Sequence, residues 1–225
     1  MANAMLVHGL WRTPVCMLSL GRRLKTAGHG ARQFAYVSVA ESYERIVGRL
    51  AAQLSQLAAE GPYAVIGYSL GGVLLRAAIG RVEGPPPAHL VMLGTPNRVP
   101  LLARRLSSFG AFHVALGESG SKLSQEAFYA DLPIPTIPYT IIAGTRGPVG
   151  RLSPFADEPN DGLVAVGETR VRDEDVPILV PVTHAFLPNA RIVQTTVAEV
   201  LARAFHEPPP RHSPAAQATS PAPRA

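Results

Sequence analysis

The 225-residue sequence has one cysteine, Cys16, so no internal disulfide can staple the fold. No base adjoins it in the sequence, which favours a buried structural thiol over a reactive one. No apolar run approaches the ~20 residues that a bilayer span requires. The start, Met1-Ala-Asn-Ala-Met-Leu-Val-His-Gly, lacks the basic end, apolar stretch and cleavage site of a secretory signal. A cytoplasmic protein without a transmembrane segment is the resulting expectation. Large apolar side chains are scarce from residue 207 to 225, where Pro, Ala and Ser dominate. Such a stretch cannot offset its ordering entropy, so a disordered tail is expected there.

Against these absences stands a hydrophobic fraction of 47%, ample for one core. The length suits a single α/β domain spanning residues 1–206. The net charge of +5 comes from scattered arginines and not from a stripe. It reads as solvated surface charge, and no nucleic-acid partner is expected.

The chain is organised around Gly67-Tyr68-Ser69-Leu70-Gly71-Gly72. An apolar run, Ala64-Val65-Ile66, precedes it, and the helix-like Val73–Ile79 follows. Gly-x-Ser-x-Gly between a strand and a helix is the nucleophile elbow, a sharp turn that lifts a serine hydroxyl clear of the sheet. The glycines let strand and helix backbones pass close to that turn. The first helical turn after Ser69 aims N–H groups at any negative charge forming there.

In order, the chain reads Ala4–Val7 as a strand, Met17–Thr26 as a helix with Met17, Leu18, Leu20 and Leu24 inward, and Gln33–Ser38 as a strand. Glu41–Ala59 is a long helix and Tyr63–Gly67 the strand entering the elbow. His89–Leu93 is a further strand. Val99–Pro138 is long and irregular, with exposed-looking Leu101, Leu102, Leu106, Phe109, Phe112, Val114 and Leu116. Runs of that length are usually functional, so residues 99–138 are expected to form a lid or cap. Tyr139–Thr145 is a strand, Leu163–Val166 begins another, and Val176–Val182 runs into His184. Leu187–Phe205 closes the chain as a helix with Ile192, Val193, Val197, Val200 and Leu201 on its core face. Alternating strands and helices predict a parallel sheet covered on both faces.

Three polar residues fall where strands give way to loops: Ser69, Asp161 and His184. In a parallel sheet those ends share one edge, where ligands bind. Serine is a weak nucleophile near neutrality and needs a histidine to take its proton, while a carboxylate holds that imidazole in the useful tautomer. Asp157 and Asp131 are rival acids. The first lies in a Pro-rich loop and the second ends the expected lid, so Asp161 is preferred. Rival bases are His113 in the lid, His89 at the wrong end of a strand, His29, His206 and His212. His184 is preferred. His8 reads as a brace for its loop through a hydrogen bond.

The order Ser, Asp, His, together with Leu6-Val7-His8-Gly9, the elbow, Leu93-Gly94-Thr95-Pro96-Asn97 and Asn160-Asp161-Gly162-Leu163-Val164, resembles the α/β-hydrolase superfamily, in particular its small bacterial lipase-type or esterase members. The resemblance covers residues 4–206. It implies hydrolysis of carboxylic esters of small or lipid-like acyl substrates without a cofactor or metal. It also implies a minimal, mostly parallel sheet of six strands, with the amides of Leu10 and Leu70 as oxyanion hole. Trp11, Leu102, Phe109 and Phe112 would meet the acyl chain. The lack of a disulfide pair and of a calcium-type carboxylate cluster separates the chain from secreted calcium-dependent lipases. A thioesterase, amidase or acyltransferase would use the same serine, and a non-catalytic binding protein would keep the fold. The oligomeric state is left open.

Overall fold

A computed structural model describes residues 2–106 and 117–206. Its frame is one sheet, built from β1 (Asn3–Val7), β2 (Gly30–Phe34), β3 (Tyr63–Tyr68), β4 (Leu90–Leu93), β5 (Tyr139–Gly144) and β6 (Ile178–Val180). The strands lie in the order β2-β1-β3-β4-β5-β6, and all five pairings are parallel. Parallel strands need crossovers that cover both faces. The helices that supply the cover are α1 (Leu18–Thr26), α2 (Tyr43–Glu60), α3 (Leu70–Ile79) and α7 (Arg191–His206). Between β4 and β5 come α4 (Leu101–Leu106), the helical residues 117–122 as α5, and α6 (Glu126–Asp131).

The pleat sorts the strand side chains. Leu6, Ile66, Val91 and Ile142 face α1 and α7, where they pack with Leu20, Leu24, Val193 and Val197. Met5, Val65, Met92 and Ile141 face α2 and α3 and meet Ile46, Leu50, Val73 and Leu74. Each fully buried Leu, Ile or Val contributes about 1.5–3 kcal/mol relative to an exposed one. The strand order reverses between β1 and β3, so the crevice above their C-terminal ends is the switch point where such sheets bind ligands. His8 leaves β1 there and Ser69 leaves β3.

Several elements differ from expectation. The strand expected at Gln33–Ser38 is β2, which starts at Gly30 and stops at Phe34, because its partner β1 runs only from Asn3 to Val7. The long helix begins after Ser42, whose hydroxyl accepts from Arg45 N at 3.4 Å, and Glu41 instead accepts from Val37 N at 2.8 Å. Leu18 and Ile192, expected inward, are exposed, since the buried stripes run through Met17, Leu20 and Leu24 in one case and Val193, Val197 and Leu201 in the other. Residues 163–166 form no strand, only an isolated bridge between Asn160 and Ala165. The run expected from Val176 to Val182 shrinks to Ile178–Val180, bounded by Pro177 and Pro181, which have no N–H to donate to the ladder. The closing helix is split, a 3-10 turn at His184–Asn189 preceding α7.

The segment 99–138 is not irregular throughout, since it holds α4, α5 and α6. Its Leu123 and Leu132 are buried against the α2 and α3 side of the core. Cys16 is half-buried beside the α1 and α7 cluster, and burial pushes its thiol pKa up. Among the described residues, no helix is long and apolar enough to cross a membrane.

Candidate active site

The turn after β3 exists because three glycines let backbones touch. A methyl group at Gly67 would collide with the backbone of Gly71 and Gly72, and one at Gly71 with the carbonyl oxygens of Val7 and His8. Gly72 leaves no room beyond the Thr95 side chain. Between them Ser69 takes φ 53° and ψ −123°, a conformation that costs a non-glycine residue on the order of 1–3 kcal/mol. Ser69 N donates to Leu93 O at 2.9 Å, tying the turn to β4. Strain at one residue is thus maintained by packing on every side.

His184 starts the 3-10 turn beyond β6. Its Nε2 lies 3.0 Å from Ser69 Oγ and its Nδ1 2.6 Å from Asp161 Oδ2. The imidazole and the carboxylate are both buried. The carboxylate fixes the tautomer: Nδ1–H donates to it, which leaves the Nε2 lone pair facing the serine hydroxyl. Two more contacts hold the base, His184 N donating to Asp161 O at 2.8 Å and the Tyr68 hydroxyl donating to His184 O at 3.1 Å. Burial holds that phenol neutral, its pKa pushed up to about 12.

Asp161 is held in turn by its second oxygen, which accepts from Leu163 N at 2.9 Å and Val164 N at 2.8 Å. The pair rests on glycine. A methyl at Gly94, which has φ +53°, would stand 3.0 Å from Asp161 Oδ2, 3.1 Å from His184 Nδ1 and 2.6 Å from Leu187 Cδ1. At Gly144 it would meet Asp161 Cβ at 2.7 Å.

The structure therefore brings Ser69, Asp161 and His184 together and leaves Asp157, Asp131 and His89 apart from them. Asp157 and Asp131 are exposed, and His89 Nε2 is engaged with Thr140 Oγ1 at 2.9 Å. His113 and His212 fall outside the described residues. Leu70 opens α3 directly after the serine and Leu10 is half-buried on the β1 exit. Neither amide has a hydrogen-bond acceptor among the described residues. Trp11 is 61% exposed and sits at φ 53°, one of three non-glycine residues with a left-handed backbone among the described residues, with Ser69 and Ala156. Leu102 is half-buried on α4, whose first N–H, that of Leu101, donates to the Glu168 carboxylate at 2.5 Å. Phe109 and Phe112 lie outside the described residues. A cavity of about 390 Å³ lined by Tyr43, Arg81, Lys122, Phe128 and Leu132 opens between α2, α3 and α6 and does not border Ser69.

Sequence reasoning missed the supporting residues. Gly94 stood inside a quoted stretch without a role, and Tyr68 is the variable position of the elbow pattern. Asn160 likewise stood beside Asp161 without a role, and Gly144 and Glu168 carry no local signal, because what they support is contributed by distant segments.

A family model described as "Thioesterase domain" matches residues 21–118, just under half of the chain. No curated protein matches it. Among solved structures, the chain is similar to the RedJ thioesterase from the prodiginine biosynthetic pathway of Streptomyces coelicolor, at 11% identity and TM-score 0.57 over 90% of this chain and 85% of that one. It is similar to a hydrolase of the α/β superfamily from Xanthomonas campestris pv. campestris, at 14% identity and TM-score 0.56 over 90% and 99% of the two chains. Human thioesterase 2 is similar at 10% identity and TM-score 0.55, over 90% and 95%. Identities this low speak for the fold.

Proposed function

We propose that this chain, a member of the α/β-hydrolase superfamily, is a serine hydrolase that cleaves acyl thioesters through an acyl-enzyme on Ser69. One observation carries the reading: His184 bridges Ser69 Oγ at 3.0 Å and Asp161 Oδ2 at 2.6 Å. The match to the thioesterase model favours a thioester over an oxygen ester as the bond that is cut.

As Ser69 Oγ attacks the substrate carbonyl, His184 Nε2 takes its proton, and the buried Asp161 carboxylate stabilises the imidazolium. The carbonyl oxygen becomes an oxyanion held by the amides of Leu10 and Leu70, each donor typically contributing about 3 kcal/mol. Collapse breaks the carbon–sulfur bond, and the thiol leaves with the proton from His184. A thiol, of ordinary pKa ~8.5, needs less help from that proton than an alcohol does. Water then attacks the acyl-serine, His184 takes its proton and returns it to Oγ, and the carboxylic acid is released. In this reading the described parts of residues 99–138 border the acyl chain, with Leu102 and Trp11 among its contacts.

Ester hydrolysis is the second reading, because the same acyl-serine forms from an oxygen ester. The test compares thioester, oxygen ester and amide of one acyl group, with wild type and Ser69→Ala. Expected are the highest kcat/KM on the thioester and a loss on the order of 10⁶ in kcat in the variant. More than a tenth of wild-type turnover in Ser69→Ala would remove the serine from the mechanism. A clear preference for the oxygen ester would replace thioesterase by esterase.

A further inference from the structure

We infer that His8 is a positioning residue for the oxyanion site, aiming the Leu10 N–H by holding the carbonyl of the same peptide unit; this rests on the hydrolase reading above. The ring of His8 is fully buried, and its Nδ1 lies 2.9 Å from Gly9 O. That contact requires Nδ1–H as donor, so the neutral ring carries its proton there. The same Gly9 oxygen accepts from Arg12 N at 3.2 Å. A trans peptide is planar, with its C=O and N–H on opposite sides, and no cis bond occurs among the described residues. Two donors that fix the Gly9 carbonyl therefore fix the direction of the Leu10 N–H.

The ring itself cannot swing. It stacks on Tyr36 with centroids 4.1 Å apart and planes within 6°, and the Tyr36 hydroxyl donates to His8 O at 2.7 Å. Gly9 in turn packs on the nucleophile, since a methyl there would stand 3.0 Å from Ser69 Cβ. The peptide whose orientation His8 sets thus lies against the serine. The Leu10 N–H has no acceptor among the described residues, as befits a donor reserved for an oxygen that exists only during reaction. His8 Nε2 is buried with no partner among the described residues, so Nδ1 is the nitrogen through which the ring acts on its loop.

Asparagine and leucine separate the claim from a general loss of packing. The two are nearly the same shape, and asparagine places an amide N–H close to the position of Nδ1, whereas leucine places a methyl group there. The experiment measures kcat, KM, melting temperature and affinity for an alkyl trifluoromethyl ketone, whose adduct with a serine carries an oxyanion. His8→Leu should lose about tenfold to a hundredfold in kcat. KM should stay within about twofold, and ketone affinity should fall in step with kcat. His8→Asn should recover most of both. Equal losses in the two variants, or a fall in KM-linked binding alone, would overturn the inference. If His8→Leu does not fold, His8→Gln takes its place, since glutamine carries its N–H one atom further out and should behave as the defective variant. Ser69→Ala assayed alongside separates the two levels: activity surviving there defeats the hydrolase reading, while a dead Ser69→Ala with an unaffected His8→Leu defeats only the role of His8.

Discussion

The elbow and the acid loop bring side chains to the same edge by different means. Residues 67–72 are held by contact, with glycine backbones touching one another, the end of β1 and the Thr95 side chain beyond β4, and a single serine carrying the strain. The loop between β5 and β6, although Gly144 and Gly147 also pack closely on Asp161 and Asn160, has no regular structure beyond one bridge and a short 3-10 turn at Gly167–Thr169. It is held by side chains that replace a missing ladder. Asn160 Nδ2 donates to Pro148 O at 2.8 Å and Glu158 O at 3.0 Å, and its Oδ1 accepts from Gly162 N at 2.9 Å. Glu168 accepts from Ala165 N at 2.8 Å. The elbow therefore fails when an atom is added, whereas the acid loop fails also when a polar atom is removed.

The largest effect is expected where an atom is added. Gly71→Ala pushes a methyl into the Val7 and His8 carbonyls, neither of which can move without taking β1 along. Overpacking of this kind typically costs about 1–3 kcal/mol, and displacing the elbow removes the serine from His184. Gly71→Ala should lose nearly all activity and melt several degrees lower, whereas Gly80→Ala, where a methyl meets nothing, should be neutral. A fully active Gly71→Ala would show that the elbow tolerates what its contacts forbid.

Next comes Asp161→Asn, which keeps the loop's shape but offers the His184 ring an amide. The wrong tautomer becomes available, and a loss of about 10⁴ in kcat is expected. Asp157→Asn, at an exposed position, should cost less than twofold. A reversed ranking would transfer the acid to residue 157.

This contrast also explains what was legible in the sequence. The elbow is read from a short pattern, since its constraints lie between neighbours in the chain. β1, β3 and β4 were legible because burial on both faces demands unbroken apolar runs. The edge strands were misjudged: β2 and β6 are half-exposed, and their limits are set by the length of a partner and by flanking prolines. Asp161 ranks above its rivals because Asp157 lies in a Pro-rich loop and Asp131 ends the expected lid, although the apolar run that follows Asp161 turned out to be no strand. Its geometry depends on Gly94, Gly144 and Asn160, whose spatial relation no single stretch of sequence contains.

Asn160→Ala probes the loop without touching the triad. Three hydrogen bonds vanish at once, leaving one buried amide N–H and two carbonyls to find water, at about 1–3 kcal/mol for each group left unpaired. The expected result is a fall in kcat of roughly tenfold with a modest drop in melting temperature, and Asn160→Asp should recover part of it because Gly162 N regains its acceptor. An unchanged kcat would mean that Asp161 is positioned by Leu163 and Val164 alone.

The smallest effect tests whether the two regions answer acid with opposite sign. Burial lowers the His8 pKa below its ordinary 6.5, against the opposing pull of backbone hydrogen bonds at Gly9 and Tyr36. The unfolded chain then binds a proton at a pH where the folded chain does not, so the stability contributed by neutral His8 is complete above the ordinary histidine range and is lost as pH falls toward the folded value. Burial, reinforced by the charges of Glu158 and Asp161, raises the Glu168 pKa above 4.5. Its contribution is therefore complete below the ordinary carboxylate range and is lost as pH rises through the folded value. Between pH 7.5 and 5.5 the elbow side should weaken while the acid loop holds or gains. His89, also lowered by burial and by Arg203, adds to the loss but lies at the far end of β4. Melting curves of wild type and His8→Asn at both pH values isolate the His8 share: the wild type should lose a degree or two more than the variant on acidification. Parallel curves would mean that His8 can take up its second proton within the fold, and that its lone Nε2 finds a partner when it does.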